Sequence, residues 1–153
     1  MNATHTSAIG HTRSTSAVDP SAKASAGVAF LASGSRGNCS LVHARGRGVL
    51  VDCGLSAREA LRRIAEAGLA GIRIEALLLT HEHTDHICGA RVIARRLGIP
   101  VLGTRGTVTR ARPALADVPE IVVLRNGDTL TLAGLEVTAF RTSHDAAEPV
   151  GYT

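Results

Sequence analysis

The sequence predicts an α/β (α+β) fold, a mixed sheet with helices on one face, and three observations lead to that prediction. Short apolar runs bounded by glycine-rich turns begin near residue 27, which is typical of hairpin strands. Strand-like runs then alternate with two segments in which apolar residues recur at helical spacing. The stretch "IVVLRNGDTLTLAGLEVTAFRT" alternates again, and its Asn-Gly and Gly turns predict three more strands.

The predicted elements follow one another in a regular order. The runs "GVAFLAS", "NCSLVHA" and "VLVDCG" are strands, and the turns "GSRG" and "RGRG" separate them. The segment "LSAREALRRIAEAG" is a helix that begins with a capping box of Ser56 and Glu59 and ends at Gly68. The strand "ALLLT" follows, then a second helix over about residues 86–97, and then the strand "VLGT".

The composition indicates one globular domain of ordinary size. The chain has 153 residues, of which 44% are hydrophobic and 20% are charged. Its net charge of +4 comes almost entirely from arginine, because Lys23 is the only lysine. Solvated helix faces explain these arginines, so the charge is only a weak indication of a nucleic acid partner. No apolar run approaches the ~20 residues of a membrane span, so no membrane contact is expected.

The first residues and the cysteines indicate the compartment. Residues 1–26 are rich in Ser, Thr and Ala, so we expect a disordered tail. This tail has no hydrophobic stretch of the kind that a signal peptide needs. Cys39, Cys53 and Cys88 lack CxxC spacing, and an odd number of cysteines indicates reduced thiols. A cytoplasmic localisation is therefore expected.

Residues that can bind a metal are concentrated in "THEHTDH", which stands between a predicted buried strand and a predicted helix. His81 and His83 are separated by one residue, so in an extended segment both imidazoles point to the same side and share one metal. Asp85 and His86 turn with the chain into the helix and face a second position. This combination of imidazole and carboxylate suits Zn²⁺, Mn²⁺ or Fe. Glu82 alternates away from the two histidines and is not predicted to be a ligand.

The segment "THEHTDH" carries an HxHxDH motif and resembles the metallo-β-lactamase superfamily, whose fold is a four-layer αββα sandwich holding one or two metals. The phrases "LASGSRGNC", "VDCGLS" and "TSHDAAEPVGYT" resemble one bacterial branch, the YycJ/WalJ-type proteins. For that branch, 5′→3′ exonuclease activity on DNA has been proposed. The resemblance covers nearly everything after residue 27 and represents the N-terminal half of the fold.

The resemblance implies a set of ligands. The first metal would take three imidazoles, from His81, His83 and His144. The second would take Asp85 and His86, and Asp85 is also the residue to which we assign a catalytic role. His144 fits on its own account, because it follows the strand "EVTAFRT" and is the only histidine after His86.

Two further acids are expected to support these ligands through hydrogen bonds. Asp52 ends an early strand, as the corresponding acid of the family does, although an Asp that merely starts a turn is the alternative. Asp145 stands beside His144 and is expected to support it. The glycine-rich loop "SGSRGN" lacks the P-loop pattern, so no phosphate role is assigned to it.

The family pattern also contains a later bridging aspartate and a final histidine, and no Asp or His follows Asp145 in this chain. We therefore expect residues 27–153 to be the N-terminal part of a metallo-β-lactamase-fold domain, truncated at its C-terminus. An exposed core face and an open sheet edge are expected of the chain alone.

The expected function of the complete protein is metal-dependent hydrolysis with two Zn²⁺, or Mn²⁺ in their place. A phosphodiesterase or 5′→3′ exonuclease with DNA as its substrate is the preferred activity. A hydrolase of small thioesters, lactones or β-lactams is one alternative, and an inactive metal-binding fragment is another. The sequence indicates no protein partner.

Overall fold

The computed structural model describes residues 26–153. Residues 1–25, which hold nearly all of the predicted tail, lie outside the described residues. The first sheet consists of β1 (Ala26–Ala32), β2 (Cys39–Ala44), β3 (Arg47–Val51), β4 (Arg73–Leu78), β5 (Val101–Thr104) and β6 (Ile121–Leu124). The second sheet consists of β7 (Thr129–Leu132), β8 (Leu135–Arg141) and β9 (Val150–Tyr152). The helices are α1 (Ala57–Glu66), α2 (Thr84–Ile87), α3 (Ala90–Leu97) and α4 (Arg105–Ala111), and a 3₁₀ turn follows at Arg112–Leu115.

The first sheet is mixed, as the sequence predicts. Its six strands lie in chain order, with β1, β2 and β3 antiparallel and β3, β4, β5 and β6 parallel. Parallel strands all end at the same edge of a sheet, and ligands commonly bind outside that edge. The chain leaves β3 at Asp52 and leaves β4 just before Thr80 and His81, so these residues meet at one edge.

The central strands of the sheet are buried on both faces, because helices cover one face and the second sheet covers the other. Leu77 and Leu79 lie in the apolar cluster on the helix side, with Ile64 of α1 and Ile93 of α3. Leu78, between them, lies in the cluster that faces the second sheet. A run of three leucines is what a strand buried on both faces requires. The predicted fold class, a mixed sheet with helices on one face, is confirmed.

The second predicted helix is interrupted, which the apolar pattern did not indicate. Helix α2 ends at Ile87 and α3 begins at Ala90. At the break, the Gly89 N–H donates to the Cys53 carbonyl at 2.8 Å. A Cβ atom on Gly89 would lie 1.9 Å from the Leu55 carbonyl oxygen, so the backbone packs against this position too closely for any other residue.

Helix α1 begins as predicted, but only half of the capping box forms. The Ser56 Oγ accepts from the Glu59 N–H at 3.2 Å. The Glu59 carboxylate accepts from the guanidinium groups of Arg62 and Arg63 instead of reaching back to the cap. Burial of Ala57, Ala60 and Ile64 fixes the face that packs on the sheet. Among the described helices, none is long and apolar enough to span a membrane.

Candidate metal centre

Three histidines converge at the edge where the parallel strands end. His81 and His83 follow β4, and His144 lies in the loop between β8 and β9. One ring nitrogen from each of the three lies within 4.8 Å of the other two. The Nε2 atoms of His81 and His144 are 3.1 Å apart. The structure therefore brings together the three imidazoles that the sequence assigned to one metal.

The neighbours of these imidazoles determine their tautomers. The Thr80 hydroxyl donates its proton to Asp52 at 2.7 Å, so it can only accept from the Nδ1–H of His81, at 2.9 Å. The Oδ1 of Asp145 lies 3.0 Å from the Nδ1 of His144 and can accept a proton from it. When the Nδ1 of His144 carries its proton, both rings present an Nε2 lone pair to the space between them.

A divalent cation fits this arrangement. Two Nε2 atoms 3.1 Å apart can bind the same cation, which takes the place of any proton between them. Burial lowers the pKa of His81, and the neighbouring His86 lowers it further, so the ring is held in the neutral form that binds metals. Three imidazoles with room for water are a usual catalytic zinc arrangement.

Asp52 lies beneath the cluster and is 4% exposed. Its carboxylate accepts from the Thr80 N–H at 2.8 Å, from the Thr80 hydroxyl and from the His86 Nδ1–H at 2.7 Å. These bonds orient His86 directly and His81 through Thr80. Burial lowers the pKa of His86, but the hydrogen bond and charge of Asp52 outweigh it, so the pKa is raised overall. The turn-starting alternative for Asp52 does not account for these contacts.

Asp85 and His86 lie beside the three histidines and face a second position. The ring centroids of His81 and His86 are 3.9 Å apart. The Nε2 of His86 and the Oδ2 of Asp85 are 3.6 Å apart. The Nδ2 of Asn38 lies between them, 3.0 Å from each. His86 donates its Nδ1 proton to Asp52, so its Nε2 accepts from the Asn38 amide.

Asn38 and Thr80 are the two residues of this site that sequence reasoning missed. Asn38 is 47 residues from Asp85 in the chain, and only the folded β1–β2 loop brings them together. Thr80 directly precedes the motif, and a threonine at the end of a strand carries no distinguishing pattern. The flanking glycines of "SGSRGN" were the one available signal for Asn38, because they mark a loop that approaches other backbone closely.

The loop that carries His144 is fixed by hydrogen bonds to the histidine motif. The carboxylate of Glu82 accepts from the Ala147 N–H at 2.8 Å. The Val150 N–H donates to the Thr80 carbonyl at 3.0 Å. Asp145 is mostly solvent-exposed, with its side chain 85% accessible, so its support of His144 is weaker than the support that Asp52 gives. Glu82 points away from the imidazoles, as its alternation in the sequence predicts.

Comparison with known proteins agrees with this geometry. Residues 32–147 match the family model of the metallo-beta-lactamase superfamily. The chain is 40% identical over 126 residues to "Exodeoxyribonuclease YycJ" of Bacillus anthracis, covering 80% of this chain and 47% of that protein. It is 32% identical over 127 residues to "Exodeoxyribonuclease WalJ" of Streptococcus pneumoniae, with the same coverage. The chain thus spans about half the length of the curated relatives it matches.

Solved structures show the same fold. A metallo-β-lactamase with a HARLDQ motif from Cronobacter sakazakii superposes with a TM-score of 0.69 at 18% identity, covering 82% of this chain and 56% of that one. An identity this low establishes the fold and nothing finer. The family model and the relatives establish more, and the predicted resemblance is confirmed: the chain belongs to the metallo-β-lactamase superfamily of hydrolases.

Proposed function

We propose that the complete protein is a metal-dependent phosphodiesterase that digests DNA from the 5′ end, as an exonuclease of the cytoplasm. The observation that carries the proposal is the 40% identity to the exodeoxyribonuclease YycJ over 80% of this chain. The mild positive charge of +4 is consistent with a polyanionic substrate.

The residues assigned to the first ion are His81, His83 and His144, which present their nitrogens to one point. Asp85 and His86 are assigned to the second ion. A divalent cation supplies Lewis-acid activation of water and stabilises negative charge that develops on a scissile phosphate. The side chains fix the geometry in which this occurs, because Asp52 and Thr80 hold His81 and His86 in single tautomers.

Asp85 is assigned the catalytic role because its carboxylate lies 3.6 Å from the Nε2 of His86 and lines a surface cleft. It is partly exposed, whereas Asp52 is buried and already accepts three hydrogen bonds. A carboxylate in this position can hold an ion and accept a proton from a water beside it. Zinc is the metal we propose, because imidazole predominates among the donors, and manganese is the alternative.

The proposal is tested by digestion of DNA with a label at one end. The 153-residue chain and a longer chain of the length of its relatives are incubated with duplex and single-stranded DNA, with and without zinc or manganese. We expect the longer chain to release nucleotides from the 5′ end and to stop when a chelator is added. We expect little digestion by the 153-residue chain, because its second position offers only Asp85 and His86.

Two outcomes would count against the proposal, and a third would contradict the expected need for the longer chain. Cleavage of a thioester or lactone by the longer chain, with DNA left intact, would favour a small-molecule hydrolase. A longer chain without any hydrolytic activity would favour a metal-binding protein that is not an enzyme. Strong, chelator-sensitive digestion by the 153-residue chain would show that its two positions suffice without additional ligands.

A further inference from the structure

The loop between β1 and β2 borders a cavity that the proposed metal centre does not use. The cavity has a volume of about 520 Å³. Its polar lining consists of Ser33, Ser35, Arg36 and Arg63, and none of its lining residues is acidic. We propose that this cavity binds a phosphate group of a nucleic acid strand whose scissile phosphodiester lies at the metal centre. This inference rests on the proposed function and adds a second point of contact with its substrate.

The donors of the loop are free for a ligand. Arg36 is exposed, and within residues 26–153 its guanidinium pairs with no carboxylate. In the same part of the chain, the N–H groups of Ser35 and Arg36 donate to no backbone carbonyl. They form the tip of a turn closed by a bond from the Gly37 N–H to the Gly34 carbonyl at 3.0 Å. Consecutive free N–H groups beside a guanidinium bind anions.

Arg63 contributes on the opposite wall with part of its guanidinium. Its Nε donates to Glu59 and its Nη1 donates to the Leu31 carbonyl, each at 2.7 Å. These two bonds hold the side chain in place and leave Nη2 without a hydrogen bond to a described residue. Because Glu59 offsets the charge of Arg63, Arg36 is the main source of positive potential in the cavity.

A second, smaller cleft extends from the loop to Asp85. It has a volume of about 260 Å³, and its lining includes Ser35, Arg36 and Asp85. Ser35 and Arg36 therefore border both spaces, and a strand that passes from one to the other stays beside them. A chain of phosphates, one at the loop and the next near Asp85, follows this path.

Asn38 fixes the distance between the loop and the metal centre. Its Oδ1 accepts from the Gly34 N–H at 3.0 Å, which ties its side chain to the loop. The backbone N–H of Asn38 also donates to the Asp85 carbonyl, at 2.7 Å. A Cβ atom on Gly37 would lie 2.9 Å from the Gly54 carbonyl oxygen, so the loop also packs closely on the segment that follows β3. A phosphate in the loop would thus lie in a fixed register with the scissile group.

The test uses the zinc-loaded 153-residue chain and thymidine 3′,5′-bisphosphate, with backbone amide signals followed by NMR. We expect the largest shifts at residues 34–37. Arg36→Gln should weaken binding about tenfold through the lost charged hydrogen bond. Arg95→Gln, an equal change of charge at an exposed position on α3, is the matched control and should alter affinity by less than about 1.5-fold.

Fluorescence anisotropy with single-stranded DNA and RNA oligonucleotides extends the test to strands. Arg36→Gln should reduce the slope of log Kd against log salt by about 0.7, the value for one phosphate contact on a single strand. Equal effects of the two substitutions, shifts confined to α3, or binding of malonate as tight as that of the bisphosphate would overturn the inference. If the bisphosphate shifts the loop but no strand is cut by the longer chain, the proposed nuclease activity is wrong and the phosphate site stands.

Discussion

The two positions at the end of β4 differ in what holds their side chains. At the first position, three imidazoles converge, and the Nε2 atoms of His81 and His144 are 3.1 Å apart. At the second position, the Asn38 amide already donates to both His86 and Asp85. The chain thus favours a cation at the first position and has to give up two hydrogen bonds to accept one at the second.

This difference shows that convergence of donor atoms alone does not make two positions equal in affinity. An ion entering the second position displaces the Asn38 amide, and neutral hydrogen bonds of this kind contribute about 1 kcal/mol each. An ion entering the first position displaces the contact between the His81 and His144 rings, but it gains three imidazole ligands there, against one imidazole and one carboxylate at the second. We therefore expect the first position of this chain to fill before the second.

The largest expected effect is the loss of the first ion in His81→Ala. Four ligands together contribute about 10–16 kcal/mol in small zinc domains, so one ligand is worth roughly 3 kcal/mol and zinc affinity should fall about a hundredfold. Competition with a fluorescent chelator measures this, with elemental analysis to show about one zinc per unmodified chain. Asp85→Asn is the control and should leave the first affinity within about threefold. A larger loss in Asp85→Asn than in His81→Ala would reverse the ranking of the two positions.

Asp52→Asn should have the next largest effect. The amide cannot accept all three hydrogen bonds that the carboxylate accepts, so His86 and, through Thr80, His81 lose their fixed orientation. Changes of this kind typically weaken metal binding about 10- to 100-fold. Asp145→Asn removes an exposed carboxylate and should change zinc affinity by less than about threefold. The same competition measures both variants. Equal losses of zinc affinity would mean that the buried Asp52 supports the metal ligands no better than the exposed Asp145 does.

Glu82→Ala should weaken the first position selectively. The substitution frees the Ala147 N–H and with it the loop that carries His144, which is not part of the second position. We expect zinc affinity to fall about tenfold, the value of one lost hydrogen bond to a charged group. Glu82→Gln keeps an accepting oxygen and should restore most of the affinity. A failure of glutamine to rescue, with the melting temperature unchanged, would contradict this role for Glu82.

The smallest expected effect concerns the Glu59 ion pairs of α1, which lie outside both metal positions and affect only the stability of the fold. Hydrogen bonds from Arg62 and Arg63 lower the pKa of Glu59 from 4.5 to about 2. Because the folded pKa is depressed, the stabilisation is present above pH 4.5 and is lost as the pH falls toward 2. The difference in melting temperature between the unmodified chain and Glu59→Gln should therefore shrink over this range. A difference that stays constant with pH would show that the ion pairs do not contribute.

Local pattern predicted the mixed sheet with helices on one face, and together with the family resemblance it predicted the convergence of the histidines. Alternation places His81 and His83 on one side, and position at a strand end brings His144 to them. The break at Gly89 was not predictable, because it depends on the Leu55 carbonyl in a segment far away in the chain. The insertion of Asn38 between Asp85 and His86 depends in the same way on tertiary packing. Their roles as metal ligands stay predictions until an ion is measured.

The backbone at Asp52 has a further consequence, for which sequences can occupy this position. Its φ angle is +59°, in the left-handed region that Asp, Asn and Gly adopt with the least strain. A library randomised at position 52 and selected for folding alone should return these three residues. Selection for zinc retention should return aspartate, because it alone of the three can accept all the protons presented there. Position 52 is therefore under two separate constraints. One is the left-handed backbone conformation, and the other is the set of hydrogen bonds that the side chain accepts from the residues around the metal centre.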